Sequence, residues 1–470
     1  MAEIKFGTDG WRAIIAEDFT TANVARVAAA AASWILGKKD KAPSVVIGHD
    51  CRFGGDMFAG LTARVMAMNG IKAYLAEGFV STPMISLGTV KLGASAGVII
   101  TASHNPPSYN GFKIKDAYGG PALEGSIAEV ESLIREEPVF PVKSLDDLMK
   151  SGMVESVNLE QMYLDHVEAH FDLELIRSAG IGIAYDAMYG SGQNVMRRLL
   201  PQASLLRCEY NPSFMGQAPE PIDRNLSALQ TLLKSESNLV FGLATDGDAD
   251  RLGLYDEDGT FVDSHRIILL LIHYLHKHKG LVGKVVVTFS TSDKIRRLCE
   301  AYHLPYLVTK VGFKYICGHM VKDDILVGGE ESGGIAVKGH IPERDGIWDG
   351  LELLEFMAAT GKSLKELLDE IYLIVGNFSC DRRDLHVTEK VKQAVLEKCG
   401  NGGFPTFGAY QVRATETTDG FKFRLDDDRW LMIRASGTEP LIRVYAEAAT
   451  EEELKKILDS ATETILMEKP

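Results

Sequence analysis

Residues 238–251 read NLVFGLATDGDADR. An apolar run of strand length stops abruptly at Asp-Gly-Asp-Ala-Asp-Arg, and four to eight apolar residues bounded by turn residues are the pattern of a buried strand. Two other stretches have the same shape: AGVIITASHNPP at 96–107 and DDILVGGEESGG at 323–334. Upstream of each lies a first strand, SVVIGHD (44–50), GIGIAYD (180–186) or KVVVTFS (284–290), leading into an amphipathic helix. A second short strand follows each helix: IKAYLAEG (71–78), ASLLRCEY (203–210) and LPYLVTKVG (304–312). This is weak internal triplication with loose spacing, not the fixed period of a solenoid. Val/Ile-rich strands alternating with helices predict an α/β class, with three related domains built on mixed, largely parallel sheets. Ligands in open α/β sheets gather beyond the carboxyl ends of the strands, so three corresponding loops are expected to face one central cleft.

The chain from about Gly376 differs. It holds a helix (EKVKQAVLEKC), a hairpin element (TTDGFKFRL), strands RWLMIRAS and LIRVYAEA, and a closing helix from Thr450. A smaller C-terminal α+β domain is expected. With 470 residues the chain exceeds what one core covers. Four domains follow, at 1–150, 151–257, 258–375 and 376–470. The 46% apolar and 24% charged content is that of an ordinary globular protein. A formal charge of −15 argues against nucleic acid as a partner, though not against anionic small molecules held by local cations. The first residues, MAEIKFGTDG, lack a signal peptide's pattern. RIILLLIHYL (266–275) is too short to span a bilayer, so no membrane partner is expected. Six scattered cysteines with no C-x-x-C pair read as reduced thiols in a cytoplasmic protein.

In DGDADR a strand's period of two would put Asp246, Asp248 and Asp250 on one side. Three carboxylates that close call for a cation, and hard oxygen donors suit Mg²⁺ or Ca²⁺. An EF-hand is the rival, with Glu257 at the twelfth position. Its sixth position needs glycine, where this chain has Arg251. A solvated acidic turn is the bland alternative. Ser103 ends another of the strand loops. Its neighbour His104 makes a poor base, because adjacent side chains rarely orient as nucleophile and base, and no G-x-S-x-G elbow surrounds it. A serine that carries phosphate and lends an oxygen to the same metal fits the Asp cluster better than a hydrolase nucleophile. RASGTEP (434–440) offers a guanidinium, two hydroxyls and backbone N–H groups, a phosphate cradle to which Arg443 could add a cation. GGEESGG (328–334) places carboxylates and a hydroxyl where sugar hydroxyls could bind. FGTDGWR (6–12) brings Arg12 on a Gly-rich turn. HYLHKHKG (273–280) reads as a cationic helix end, not a metal site.

Together these motifs, in this order from FGTDGWR to RASGTEP, resemble the α-D-phosphohexomutases. The resemblance implies four domains around a central cleft and an isomerase acting on a hexose phosphate. It implies Ser103 as the phosphorylated residue, with Ser103, Asp246, Asp248 and Asp250 holding Mg²⁺. Arg12, His104 and Lys113 match positions around the transferred phosphoryl group, Lys113 being the first choice as proton-transfer group. Arg251, Gly312, Lys314, Glu330 and Ser332 match substrate-binding positions. Arg434, Ser436, Gly437 and Thr438 match the site for the phosphate that is not transferred, with Arg443 beside it. A hexose 1,6-bisphosphate is expected as intermediate and activator, in a monomer or homodimer. Mannose-handling members resemble one another in a histidine within the KVGFKYI loop (310–316) and another after the SG of the sugar loop. This chain has Phe313 and Lys314 in the first and Gly334 at the second. Glucosamine mutases usually carry glutamine where Glu331 stands. The expectation is therefore a glucose phosphate, with phosphomannomutase or a dual enzyme as first alternative, then phosphoglucosamine mutase, then an inactive phosphosugar-binding protein.

Overall fold

The computed structural model describes residues 4–435 and 441–467. The chain divides into two compact units, Met1–Val286 with Gly312–Leu368, and Val287–Val311 with Asp369–Pro470.

The first unit begins with a six-stranded sheet, in the spatial order Trp11–Ile14, Tyr109–Asp116, Ala96–Ile100, Ser44–His49, Lys72–Ala76 and Val154–Val157. The last four strands are parallel to one another and the first two join antiparallel, so the sheet is mixed. The Ala-rich helix Thr21–Gly37 and the helix Gly55–Met68 pack together on it, sharing a core with Val45, Ile47, Val98 and Phe112. Small side chains allow the close approach. Helix Thr82–Lys91 lies against Gly97, where a Cβ would come within 2.4 Å of Thr89 Oγ1. A second sheet follows, ordered Phe261–Val262, Leu252–Tyr255, Phe241–Thr245, Ile183–Asp186, Ser204–Leu206, with its last three strands parallel. Ile325–Gly329 and Ile335–Val337 form an antiparallel pair, and the loop between them carries Glu330 to Gly334. Helix Gly346–Thr360 is started by Asp345, whose carboxylate accepts from the N–H groups of Ile347 and Trp348.

The second unit carries a five-stranded antiparallel sheet, ordered Ser379–His386, Leu441–Ala448, Trp430–Ala435, Phe421–Arg424, Ala414–Glu416. Helices Glu389–Gly400 and Glu451–Leu466 start at the N-caps Thr388 and Thr450. Their apolar faces, with Val395, Ile457 and Ile465, share one core with Phe423, Ile433 and Val444 of the sheet. The opposite face of the sheet buries Trp430, Met432 and Tyr445 with Phe289 of the segment Val287–Val311. This is the α+β domain expected from the sequence. No helix among the described residues is long and apolar enough to cross a membrane, and all six cysteines are free thiols.

Candidate active site

The parallel neighbours Ser44–His49 and Ala96–Ile100 end side by side, which places Asp50 against Thr101. Thr101 Oγ1 donates to Asp50 Oδ2 at 2.5 Å, and the N–H of Ser103 donates to Thr101 Oγ1 at 2.9 Å. Ser103 itself is fully buried and adopts a left-handed backbone with φ 51°. That conformation costs a non-glycine residue on the order of 1 kcal/mol and persists only where surroundings impose it. Arg52 is a large part of those surroundings. Buried between the strand ends, it donates to the carbonyls of Ser103 (2.6 Å), Asn105 (2.7 Å), Pro106 (2.8 Å) and Tyr109 (3.0 Å).

Asp246, Asp248 and Asp250 lie in the tight connection between the antiparallel strands Phe241–Thr245 and Leu252–Tyr255. The pleat expected from their alternation does not extend this far. The connection is a turn in which Ala249 takes φ 57°, and it is the turn, not a strand, that brings the carboxylates together. One oxygen from each lies within 4.8 Å of the others, and all three residues are buried. Ser103 Oγ donates to Asp246 Oδ2 at 2.6 Å, so two loops 143 positions apart meet. Gly247 allows the approach, since a Cβ there would sit 2.6 Å from the Ser103 carbonyl oxygen.

Cations interlock with this cluster. Lys113, on the strand antiparallel to Ala96–Ile100, contacts Asp248 Oδ2 (2.7 Å), Asp250 Oδ2 (2.9 Å) and Asp9 Oδ2 (2.7 Å). Arg344 reaches Asp9 at 2.6 Å and Asp250 at 2.7 Å. Thr82 Oγ1 donates to Asp248 Oδ2 at 2.5 Å. Burial opposes the Lys113 ammonium, yet Asp248, Asp250 and Asp9 outweigh it and raise its pKa well above the ordinary value. Burial likewise opposes the charge of Asp9, but Arg344 and Lys113 hold its carboxyl far below the usual range. Asp246 is pushed up by burial and by the neighbouring Asp248 and Asp250. Asp248 Oδ1 and Asp250 Oδ1 are buried without a hydrogen-bond partner. Unpartnered carboxylate oxygens in a set of three are a donor set that fits a hard divalent cation.

The other expected residues divide between the two units. In the first, Arg12 donates to Asn105 Oδ1 at 2.6 Å, on the Ser103 loop. His104 Nδ1 is 3.3 Å from Ser103 Oγ, and burial, then Arg251 and Arg12, hold its imidazole neutral. Arg251 is buried beside Asp250, with its Nε 3.9 Å from Oδ1. Glu330 is buried, 3.9 Å from Arg344, and burial raises its carboxyl. Ser332 lies in the same loop, whose Gly333 needs φ 88°. Gly312, with φ 134°, precedes the helix Phe313–Met320, and Lys314 on that helix pairs with Glu124 at 2.7 Å. In the second unit Arg434 and Arg443 are cross-strand partners. Like charges directly opposite repel. Arg434 Nε is 3.2 Å from Asp419, and Arg443 Nε is 4.0 Å from Asp384. Ser436, Gly437 and Thr438 lie outside the described residues.

Sequence reasoning missed Asp9, Arg52, Thr82 and Arg344. Asp9 stood inside a motif chosen for Arg12, and Arg52 two residues beyond the strand SVVIGHD. Arg344 comes from a connection with no motif, and only the fold brings it to Asp250.

Comparisons with known proteins agree along the chain. Phosphoglucomutase/phosphomannomutase α/β/α domains I, II and III match residues 3–139, 161–259 and 263–373, and the family's C-terminal domain matches 381–464. A phosphoglucosamine mutase of Halalkalibacterium halodurans is 31% identical over 95% of this chain and 95% of its own. A phosphoglucomutase/phosphomannomutase of Thermococcus kodakarensis is 29% identical over 97% and 96%. A solved structure from Thermus thermophilus, assigned provisionally as a phosphomannomutase, superposes with TM-score 0.87 at 34% identity, covering 99% of both chains. With four domain families matched in order over most of its length, the chain belongs to the phosphoglucomutase/phosphomannomutase family and is an isomerase of the α-D-phosphohexomutase superfamily.

Proposed function

We propose that the protein is a phosphoglucomutase, interconverting glucose 1-phosphate and glucose 6-phosphate through a phosphorylated Ser103 and a glucose 1,6-bisphosphate. The observation that carries this reading is the 2.6 Å contact between Ser103 Oγ and Asp246 Oδ2, inside the buried cluster with Asp248 and Asp250. A triad serine hydrolase needs a histidine base oriented by an acid, whereas His104, 3.3 Å from this hydroxyl, is bonded to no carboxylate among the described residues and the hydroxyl donates to Asp246. We read it as a carrier of phosphate at the edge of a cation site. Mg²⁺ held by Asp246, Asp248 and Asp250 would supply positive charge against the phosphoryl oxygens.

The residues of this chain do the rest. In the forward step the P–O bond to Ser103 breaks as a sugar hydroxyl oxygen bonds to phosphorus, and one proton passes from that hydroxyl to Ser103 Oγ. His104, within 3.3 Å of Oγ, and Lys113, within the carboxylate cluster, are the groups placed to relay it. Arg12 and Arg251 add charge for the transferred group. Glu330 and Ser332 hold sugar hydroxyls, with Gly312 and Lys314 completing the sugar site. Arg434, Arg443 and the residues Ser436, Gly437 and Thr438 receive the second phosphate. The bisphosphate then reorients and returns its other phosphoryl group to Ser103, and added glucose 1,6-bisphosphate acts as activator by rephosphorylating any free Ser103.

Glucose is preferred because Phe313, Lys314 and Gly334 stand where mannose-handling members resemble one another in histidine, and Glu331 where glucosamine mutases usually have glutamine. A second reading, phosphoglucosamine mutase, draws on the name of the 31% identical Halalkalibacterium relative. Coupled assays with glucose 1-phosphate, mannose 1-phosphate and glucosamine 1-phosphate decide between them. The glucose substrate should show the largest kcat/KM, and a larger value for either competitor would replace this assignment.

A further inference from the structure

The second unit contains a cavity of about 780 Å³, within the range of small-molecule sites. Its wall follows from strand alternation. In Phe421–Arg424, Phe421 and Phe423 turn into the core beneath the two helices, and Lys422 and Arg424 turn the other way. Their cross-strand partners on the next strand are Met432 and Trp430, which pack with Phe289 beneath the cavity wall; Phe289 and Val308 are apolar side chains that line the cavity itself. The Lys422 ammonium lies 4.0 Å from the centroid of Trp430 and 4.9 Å from that of Phe289.

Lys422 is only 3% exposed and lines the cavity. Among the described residues its nearest carboxylate oxygen is Asp293 Oδ1, at 4.0 Å, beyond hydrogen-bond range. The other Asp293 oxygen is bonded to Arg424, which also donates to Glu416 at 2.5 Å. These two acids of the cavity wall are therefore already engaged, and the Lys422 amine, with three donors when charged, meets no acceptor. Burying such a group unpaired is costly, and burial pulls its pKa down to about 8. Arg413, which is exposed and has no ion-pair partner among the described residues, also lines the cavity, as do Thr288 and Thr291. Arg434 and Asp419 do not line this cavity.

We propose that this cavity is a second anion-binding site, separate from the serine site, which takes a small metabolite with a carboxylate or phosphoryl group on Lys422 and Arg413. The apolar side chains of Phe289 and Val308 receive the body of the ligand, and Thr288 and Thr291 its remaining polar atoms. An oxyanion bonded to Lys422 supplies the acceptor that the fold withholds.

Site-resolved acetylation tests this. The full-length protein is treated at pH 8 with a water-soluble acetylating ester, alone and with inorganic phosphate or citrate as probe, and modification of Lys422 is followed by peptide mass spectrometry. Either probe should slow it saturably, by roughly tenfold when present at ten times its dissociation constant. Phosphate as the better protector assigns a phosphoryl ligand, and citrate a carboxylate one. The exposed Arg413→Ala change should weaken the apparent affinity about threefold, whereas Arg434→Ala should leave protection unchanged. No protection by either probe overturns the proposal, and so does protection that disappears with Arg434→Ala, which would place the anion in the phosphate cradle instead. None of these readouts depends on turnover.

Discussion

The protein buries charge in two opposite ways. Around Ser103 the buried cations Lys113 and Arg344 are locked to anions: Lys113 to Asp9, Asp248 and Asp250, and Arg344 to Asp9 and Asp250. In the second unit Lys422 is as deeply buried but meets aromatic rings where an acceptor would be. In the interlocked network, removing any one ion would strand its buried partners. Burial lowers the pKa of the Lys422 amine to about 8, and the amine lines a cavity where a ligand could reach it. A preorganised charge set suits phosphoryl transfer, which needs positioning and electrostatics more than covalent assistance. An unsatisfied group suits recognition.

Breaking the first region should have the largest effects. Ser103→Ala should lower kcat by about 10⁴-fold or more, as loss of a nucleophile does, with circular dichroism unchanged. Asp248→Asn should follow, at on the order of 10³-fold in kcat. Wild-type activity should also vanish in chelator and return with Mg²⁺; activity that persists in chelator contradicts the metal assignment. Arg52→Lys should cost about 10²-fold in kcat, because an ammonium cannot hold four carbonyls at once and the Ser103 loop would shift. KM measured alongside should move little if Arg52 only positions that loop.

The smallest effect belongs to the second region and sharpens the contrast. The Lys422 pKa is lowered in the fold, so between about 8 and the ordinary value near 10.5 the unfolded chain binds a proton that the folded chain does not. Stability should therefore rise with pH through that window, the cost of the buried ammonium being fully present below it. In urea titrations Lys422→Met should be more stable than wild type by about 1–2 kcal/mol at pH 7, since lost cation–π contacts offset part of the gain. The difference should shrink towards pH 10.5, and an unchanging difference would mean that Lys422 does not titrate as described.

The contrast also marks what the sequence could disclose. The strand-and-loop units, Ser103, the three aspartates and the returning Lys113 were legible because local pattern and residue chemistry coincide there. The α+β end was legible through alternation, as in Phe421 to Arg424. What stayed hidden depends on tertiary approach. Arg52 looks like any loop arginine until four carbonyls fold around it, and Arg344 joins the cluster from a connection without a motif. The aspartates were grouped rightly on a wrong geometric ground: a left-handed residue at Ala249 does what a pleat was expected to do. Lys422 could not be singled out because its lack of an acceptor is a property of the folded surroundings.

The central claim is that Ser103 carries the phosphoryl group. Intact-mass measurement of the protein after incubation with Mg²⁺ and glucose 1,6-bisphosphate tests it most directly. The account predicts one added phosphate, mapped to the peptide containing Ser103 and absent in Ser103→Ala. An unshifted mass, or a phosphate that survives the substitution, would contradict it.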